Sequence, residues 1–237
     1  MEFLPNGFTL SIPGGCFPLS TDSMVLSHFI QLPPKARVLD LGSGCGSLGL
    51  LLCSRDESCR VWGMEIDPAA HQAALDNIQR NGLCTRMESI CAPLQSVSER
   101  FSSGSFSVCV SNPPYFSGGA RSSRAPLARR TDLCPPQALF GAAAWALKYG
   151  GEFFLVHRPE MLAQLIACAS ATALEAKELC FVRHREGGRI SLILLRFRKG
   201  GKPGVRLSEW SLHHADGTET PLYRKIYHKP PSANSFQ

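Results

Sequence analysis

No apolar stretch in this chain approaches the length of a membrane span; the longest clear one runs only from Leu48 to Cys53. The first residues, Met1-Glu2-Phe3-Leu4-Pro5, lack the basic-then-apolar pattern of a secretory signal. Ten cysteines are present, but none forms a Cys-x-x-Cys pair, which argues against a zinc site and leaves no metal to expect. They lie singly, and Cys53, Cys109 and Cys168 fall inside predicted strands and helices, where free cysteine behaves as a small core hydrophobe. Reduced thiols and no membrane contact make the expected setting cytoplasmic. Internal repeats, low-complexity tracts and clear linkers are missing too, so the 237 residues read as one large domain or one domain with appendages. Apolar residues at 44% and charged residues at 19% describe a chain with a substantial core. Acidic residues are scarce in one half only. Residues 1–118 hold 7 basic and 10 acidic side chains, a balance of −3, whereas residues 119–237 hold 18 and 9, a balance of +9. A split of that kind points to a polyanionic partner for the second half.

What is present alternates. A short helix is predicted after Leu19-Ser20-Thr21-Asp22, with strands at Arg37–Leu41, Arg60–Met64, Arg86–Ile90 and Phe106–Ser111. Helices are expected from Ser47, over Pro68–Asn81, over Leu133–Lys148 up to Gly150-Gly151, and over Met161–Ala173. Glu152–Val156 reads as a fifth strand, and Lys177–Val182 and Arg189–Phe197 as a closing hairpin across 186–188. Residues beyond 200 read as loop and irregular chain. The pattern predicts an α/β fold: a doubly wound, mostly parallel, seven-stranded sheet with an antiparallel last strand.

Two stretches carry chemistry. Asp40-Leu-Gly42-Ser-Gly44-Cys-Gly46 opens the first strand-to-helix crossing, where glycines let a backbone turn sharply and approach a ligand. Glu65 ends the next strand, where a carboxylate can grip both hydroxyls of a ribose. Gly44-Cys-Gly46-Ser-Leu-Gly49 also matches the dinucleotide fingerprint, which would make a nicotinamide or flavin enzyme. Asp40 opposes that reading: a carboxylate before the turn repels a diphosphate but favours the cationic methionine end of S-adenosyl-L-methionine. The second stretch is Ser111-Asn112-Pro113-Pro114-Tyr115-Phe116, at the carboxyl end of the fourth strand. Two prolines supply no N–H and extend Asn112, so the turn joins neither helix nor ladder. It is a stiff bracket for a planar group bearing an N–H2: the Asn112 amide oxygen and the Pro113 carbonyl each accept a hydrogen, while Tyr115 stacks on the plane.

With these motifs the chain resembles the Rossmann-like class I S-adenosylmethionine-dependent methyltransferases, and is most similar to the bacterial tRNA(Val) (adenine-N6)-methyltransferase family. The resemblance extends over Ser20-Thr21-Asp22 with Val25-Leu26, Asp40 to Gly46, Glu65, Ser111 to Phe116, Ala128-Arg129, Gly150-Gly151 with Phe154, Gly200 to Gly204, and Tyr223 to Tyr227. It implies S-adenosyl-L-methionine as cofactor, held by Thr21, Asp22, Asp40, Gly42, Gly44, Gly46, Glu65, Ile66, Leu94 and Asn112. It implies catalysis by Asn112, Pro113, Pro114 and Tyr115 on an adenine amino group of RNA near an anticodon. The residues 1–34 would cap the cofactor, 35–200 form the catalytic domain and 201–237 extend it. One departure is Pro93: the family usually has an Asp there for the cofactor's adenine, and Pro93 offers no side-chain hydrogen bond, leaving the Leu94 N–H.

Arg121, Arg124, Arg129 and Arg130 follow the bracket with no acid among them and read as phosphate contacts, with Phe116 as a second stacking ring. Arg183, Arg185, Arg189, Arg196, Arg198, Lys199, Lys202 and Arg206 form a second cluster that is equally a solvated hairpin face; Lys202 is assigned to the substrate. No general base is required for such a transfer, and His157 and His184 read as structural or surface residues. The competing readings are a methyltransferase of a protein glutamine amide, a nicotinamide-dependent oxidoreductase and a silent RNA-binding module. Oligomeric state is open.

Overall fold

The computed structural model describes residues 2–4, 7–14, 19–114 and 135–228. Strand β1 (Glu2–Phe3) pairs antiparallel with β2 (Thr9–Leu10) in a small ribbon. Helix α1 (Thr21–Phe29) is N-capped by Ser20, whose hydroxyl accepts from Ser23 N, as the polar run before it predicts. Then β3 (Arg37–Leu41), α2 (Ser47–Arg55), β4 (Arg60–Glu65), α3 (Pro68–Arg80), β5 (Met87–Cys91), α4 (Val97–Arg100) and β6 (Phe106–Ser111) alternate. They are followed by α5 (Pro136–Ala146), β7 (Leu147–His157), α6 (Leu162–Ala171), β8 (Leu174–Arg185), β9 (Ile190–Lys199), β10 (Arg206–His213) and α7 (Pro221–Ile226).

The main sheet has the order β10-β8-β9-β7-β6-β3-β4-β5. All neighbours are parallel except β9, which lies antiparallel between β7 and β8. The mostly parallel sheet and its antiparallel seventh strand match the expectation. The count does not: β10 is an eighth strand, parallel to β8, where irregular chain was expected. Its residues alternate polar and apolar, and only Leu212 is fully buried, so no apolar run announces it. Strands β7 and β8 also start earlier than their apolar cores indicate, because pairing reaches back to Leu147, opposite Phe106, and to Leu174, opposite Lys199.

Residues alternate between two faces. Val38, Val108, Val110, Phe154 and Val156 face α1, α2, α3 and α7. Leu39, Leu41, Cys109, Phe153 and Leu155 face α5 and α6. The result is a three-layer sandwich. Among the described residues no helix is long and apolar enough to cross a membrane.

Two asparagines one turn apart, Asn77 on α3 and Asn81 at its C-cap, tie the N-terminal segment to this frame. Asn81 accepts from Thr9 N and donates to Thr9 O, both at 2.8 Å. Asn77, fully buried, accepts from Ser11 N at 2.8 Å and donates to Ser11 O at 2.9 Å and Cys45 O at 3.0 Å. The two amides do for residues 9–11 what a strand would do. Replacing Asn77 with Ala removes two hydrogen bonds to the Ser11 backbone and one to Cys45 O. The expected loss is about 1–3 kcal/mol of stability, read by urea denaturation, with faster amide exchange at Ser11.

Candidate active site

The carboxyl ends of β3, β4 and β6 meet at one cleft. The glycine turn after β3 is laced to β4: Gly42 N and Ser43 N both donate to Met64 O, at 2.9 and 3.0 Å. Gly42, Gly44 and Gly46 all have positive φ, at 75°, 55° and 82°, a conformation only glycine adopts without strain. Above Gly42 and Gly44 a Cβ would meet nothing within 4 Å, so open space lies over the backbone there. Gly49 serves differently. A Cβ at that position would lie 2.5 Å from Met87 Cε, so the last glycine of the apparent dinucleotide fingerprint lets α2 pack on β5.

Glu65 is aimed by the backbone. Its two oxygens accept from Gly44 N and Asp67 N, each at 2.8 Å. Each oxygen keeps a further lone pair, which suits a diol. Ile66, next in the chain, is 39% exposed and offers an apolar surface beside that carboxylate. On the following loop Ala92 N donates to Glu65 O at 2.9 Å. Pro93 opens a 3-10 turn over Leu94–Ser96, and its carbonyl is taken by Ser96 N and Ser96 Oγ. Leu94 is buried beneath the turn.

Asp40 is buried at the end of β3, and its Oδ2 has no hydrogen-bond partner among the described residues. Burial, and secondarily the Glu65 charge, pushes its pKa up to about 8. An acid held this way, under open glycines and beside a second carboxylate, fits a ligand carrying a positive charge and a ribose.

Asn112 follows β6, whose last residue is fastened by a Ser111 Oγ hydrogen bond to Leu41 O at 2.7 Å. The Asn112 side chain donates from Nδ2 to Ser23 Oγ at 2.9 Å, so its Oδ1 is the atom left to accept. Pro113 is buried and Pro114 half-buried behind it. Ser23 was not foreseen, because nothing in its own neighbourhood shows that α1 crosses the end of β6. Helix α1 brings Thr21 and Asp22 to the same end. Tyr227 OH donates to Thr21 Oγ1 at 3.2 Å, so the C-terminal segment buttresses this helix. Burial raises the Asp22 pKa, opposed by Arg158.

The cleft thus unites Thr21, Asp22, Asp40, Gly42, Gly44, Gly46, Glu65, Ile66, Leu94, Asn112, Pro113 and Pro114 along the ends of the parallel strands. Tyr115, Phe116, Arg121, Arg124, Arg129 and Arg130 lie outside the described residues. Lys202 does not join the cleft. Because β9 runs against its neighbours, it ends with Lys199 opposite Leu174, the first residue of β8, and the loop carrying Lys202 lies at the other end of the sheet. Half of the second basic cluster is engaged within the sheet. Arg196 bonds Glu152 and Glu178, at 2.7 and 3.3 Å. Arg206 also bonds Glu178, at 2.7 Å, and Arg183 bonds Glu209 at 2.8 Å. Lys199 Nζ caps Ala144 O and Leu147 O at 2.6 and 2.8 Å.

Fold and cleft define an S-adenosyl-L-methionine-dependent methyltransferase. The family described as Methyltransferase small domain matches residues 20–167, and the chain belongs to that family. A relative named tRNA1(Val) (adenine(37)-N6)-methyltransferase, from Aeromonas hydrophila, is 32% identical over 214 residues, covering 88% of this chain and 87% of its own. One of the same name from Bacteroides fragilis is 28% identical over 216 residues, covering 89% and 91%. Among solved structures, a predicted O-methyltransferase from Agrobacterium tumefaciens superposes with a TM-score of 0.75 at 20% identity, covering 88% of this chain and 96% of that one. A geranyl diphosphate C-methyltransferase from Streptomyces coelicolor, solved with S-adenosyl-L-homocysteine, gives a TM-score of 0.55 at 11% identity, covering 75% and 76%. These two share the fold.

A sulfonium or ammonium bound against Asp40 would make cofactor binding a proton-linked event. At pH 7 the free protein holds a proton on Asp40 that a bound sulfonium or ammonium would displace. Affinity should therefore rise with pH, by up to about tenfold per unit below pH 8, and binding should release a proton. Calorimetry at pH 7 in buffers of different ionisation enthalpy reads that release directly, and Asp40→Asn should abolish it. In the free protein the sign for folding is opposite. The native state keeps a proton that the unfolded chain has lost, so this group lowers stability as pH climbs from its ordinary carboxylate range toward 8.

Proposed function

We propose that this methyltransferase acts on the exocyclic amino group of an adenine in RNA, a tRNA near its anticodon. The observation that carries the reading is the Asn112 side chain, tethered through Nδ2 to Ser23 so that Oδ1 is offered at the carboxyl end of β6. The relatives' names support the same reading, as does the basic balance of the second half of the chain. A cytoplasmic setting goes with such a substrate.

An adenine amino nitrogen is a poor nucleophile because its lone pair is spread into the ring. Asn112 Oδ1 and the Pro113 carbonyl would accept its two hydrogens and favour a pyramidal nitrogen with a localised pair. Pro113 and Pro114 hold both acceptors still, so the assistance is positional and electrostatic and needs no general base. Bound S-adenosyl-L-methionine supplies an electrophilic methyl on sulfur. Asp40, Glu65 and the open backbone at Gly42 and Gly44 are the groups that would hold it, under Thr21 and Asp22. The target base must leave its stack to reach the bracket, and Tyr115 and Phe116 are assigned to receive it. Arg121, Arg124, Arg129 and Arg130 are assigned to the flanking phosphates.

Asn112→Ala should lower the single-turnover rate of methyl transfer to RNA by at least about 10²-fold while cofactor affinity stays close to the parent's. Ser23→Ala frees the amide to rotate and should cost about tenfold in the same rate, again without loss of cofactor affinity. Near-normal rates in Asn112→Ala would remove the bracket from the mechanism.

A further inference from the structure

The carboxyl end of the sheet continues past the cleft. Strand β8 is parallel to β7, because both run against β9, and β10 is parallel to β8. The last residues of β8 and β10, Arg185 and His213, therefore lie at the same end of the sheet as Asn112. Four rings run from there back to α1. Centroids of His184 and His213 are 4.7 Å apart, those of His213 and Tyr223 4.8 Å, and those of Tyr223 and Tyr227 4.3 Å. His213 Nδ1 donates to His184 O at 3.0 Å, which fixes its ring. At the inner end Tyr227 bonds Thr21, on the same turn of α1 as the Ser23 that holds Asn112. His213, Tyr223 and Tyr227 are half-buried, and His184 at the outer end is exposed. Arg185 and Arg189 flank the β8–β9 turn beside it. Both are exposed, and neither enters an ion pair among the described residues. The acids around them are engaged. Glu186 lies 3.1 Å from His214 Nδ1, Glu209 bonds Arg183, Glu219 bonds Arg224, and Asp216 accepts from the N–H and hydroxyl of Thr218. Between this turn and the bracket stands Arg158, exposed after β7 with Glu160 nearby, donating to Ser191 O at 3.3 Å.

We propose that this rim holds the RNA strand leading away from the acceptor adenine: a flanking base continues the ring stack on His184, and backbone phosphates meet Arg185 and Arg189. The proposal rests on the RNA reading above. Three strand spacings, about 15 Å in all, separate the end of β6 from the end of β8, a span of a few nucleotides. Rings set beside cations are the chemistry that holds a single strand, with the aromatic face taking a base and the guanidinium taking a phosphate. The inner rings are committed to one another and to Thr21, which leaves the exposed ring of His184 as the member that can accept a base.

The test uses His184→Ala and, separately, Arg185→Glu combined with Arg189→Glu. All three side chains are exposed, and urea denaturation checks that each variant folds as the parent does. Affinity for tRNA is measured across a salt series, with cofactor affinity and the kcat and KM for methyl transfer followed alongside. The paired arginine variant should bind RNA about tenfold or more weakly at low salt, with a shallower salt dependence. His184→Ala should bind about fivefold more weakly at every salt concentration, with the slope kept, because a stacked base carries no charge. In both, KM for RNA should rise while kcat and cofactor affinity stay with the parent. Parent-like RNA affinity in both variants, with the parent still methylating RNA, overturns the rim and leaves the proposed function standing. A loss confined to the arginine variant overturns the base stack and with it the proposal. A parent that labels a protein glutamine and leaves RNA unmethylated overturns the function, and RNA as the occupant of the rim with it.

Discussion

Asp40 sits at the end of the first core strand with one carboxylate oxygen unpartnered and the side chain removed from water. An ionised carboxylate in that position without a counter-charge costs several kcal/mol, which is why the group holds a proton well above the ordinary carboxylate range. The surrounding structure sustains this strain. Three glycines in left-handed conformations keep the backbone above it low, and Glu65 beside it is locked by two backbone N–H groups. A cation placed against Asp40 would favour its ionised form, and S-adenosyl-L-methionine carries one on sulfur.

The acceptor side is organised from further away. Ser111 ties the end of β6 to Leu41, Ser23 orients the Asn112 amide, and Tyr227 props Thr21 at the start of the same helix. Residues as far apart in the chain as Thr21 and Tyr227 therefore support the helix that holds the Asn112 amide. The N-terminal segment is fastened by Asn77 and Asn81, and Asn77 also bonds the Cys45 carbonyl in the glycine turn. The glycine turn and the N-terminal segment are thus parts of one hydrogen-bonded frame.

Much of this was legible in the sequence, for identifiable reasons. Strands buried on both faces, such as Val38 to Leu41 and Val108 to Val110, read as apolar runs, and Pro68 with Asn81-Gly82 brackets its helix. Asp40, Glu65 and Asn112 stand out because each ends a strand beside a turn former. Strand β10 was illegible because an edge strand half in water carries no continuous apolar signal. Ser23 and Tyr227 act through contacts 89 and 206 residues away, which local pattern cannot express. The second basic cluster stayed open between phosphate contact and hairpin face for a related reason: counting charges along the chain does not show that Glu152, Glu178 and Glu209 face Arg196, Arg206 and Arg183 across the sheet.

The central claim is that the cleft delivers a methyl group to a planar amino nitrogen of RNA, and the most direct test is the destination of the methyl. The protein is incubated with tRNA and S-adenosyl-L-methionine bearing a deuterated methyl, and the digested nucleosides are read by mass spectrometry. The account predicts the label in N6-methyladenosine. Label on an adenine ring nitrogen or a ribose oxygen, or on a protein glutamine with the RNA unlabelled, would contradict it.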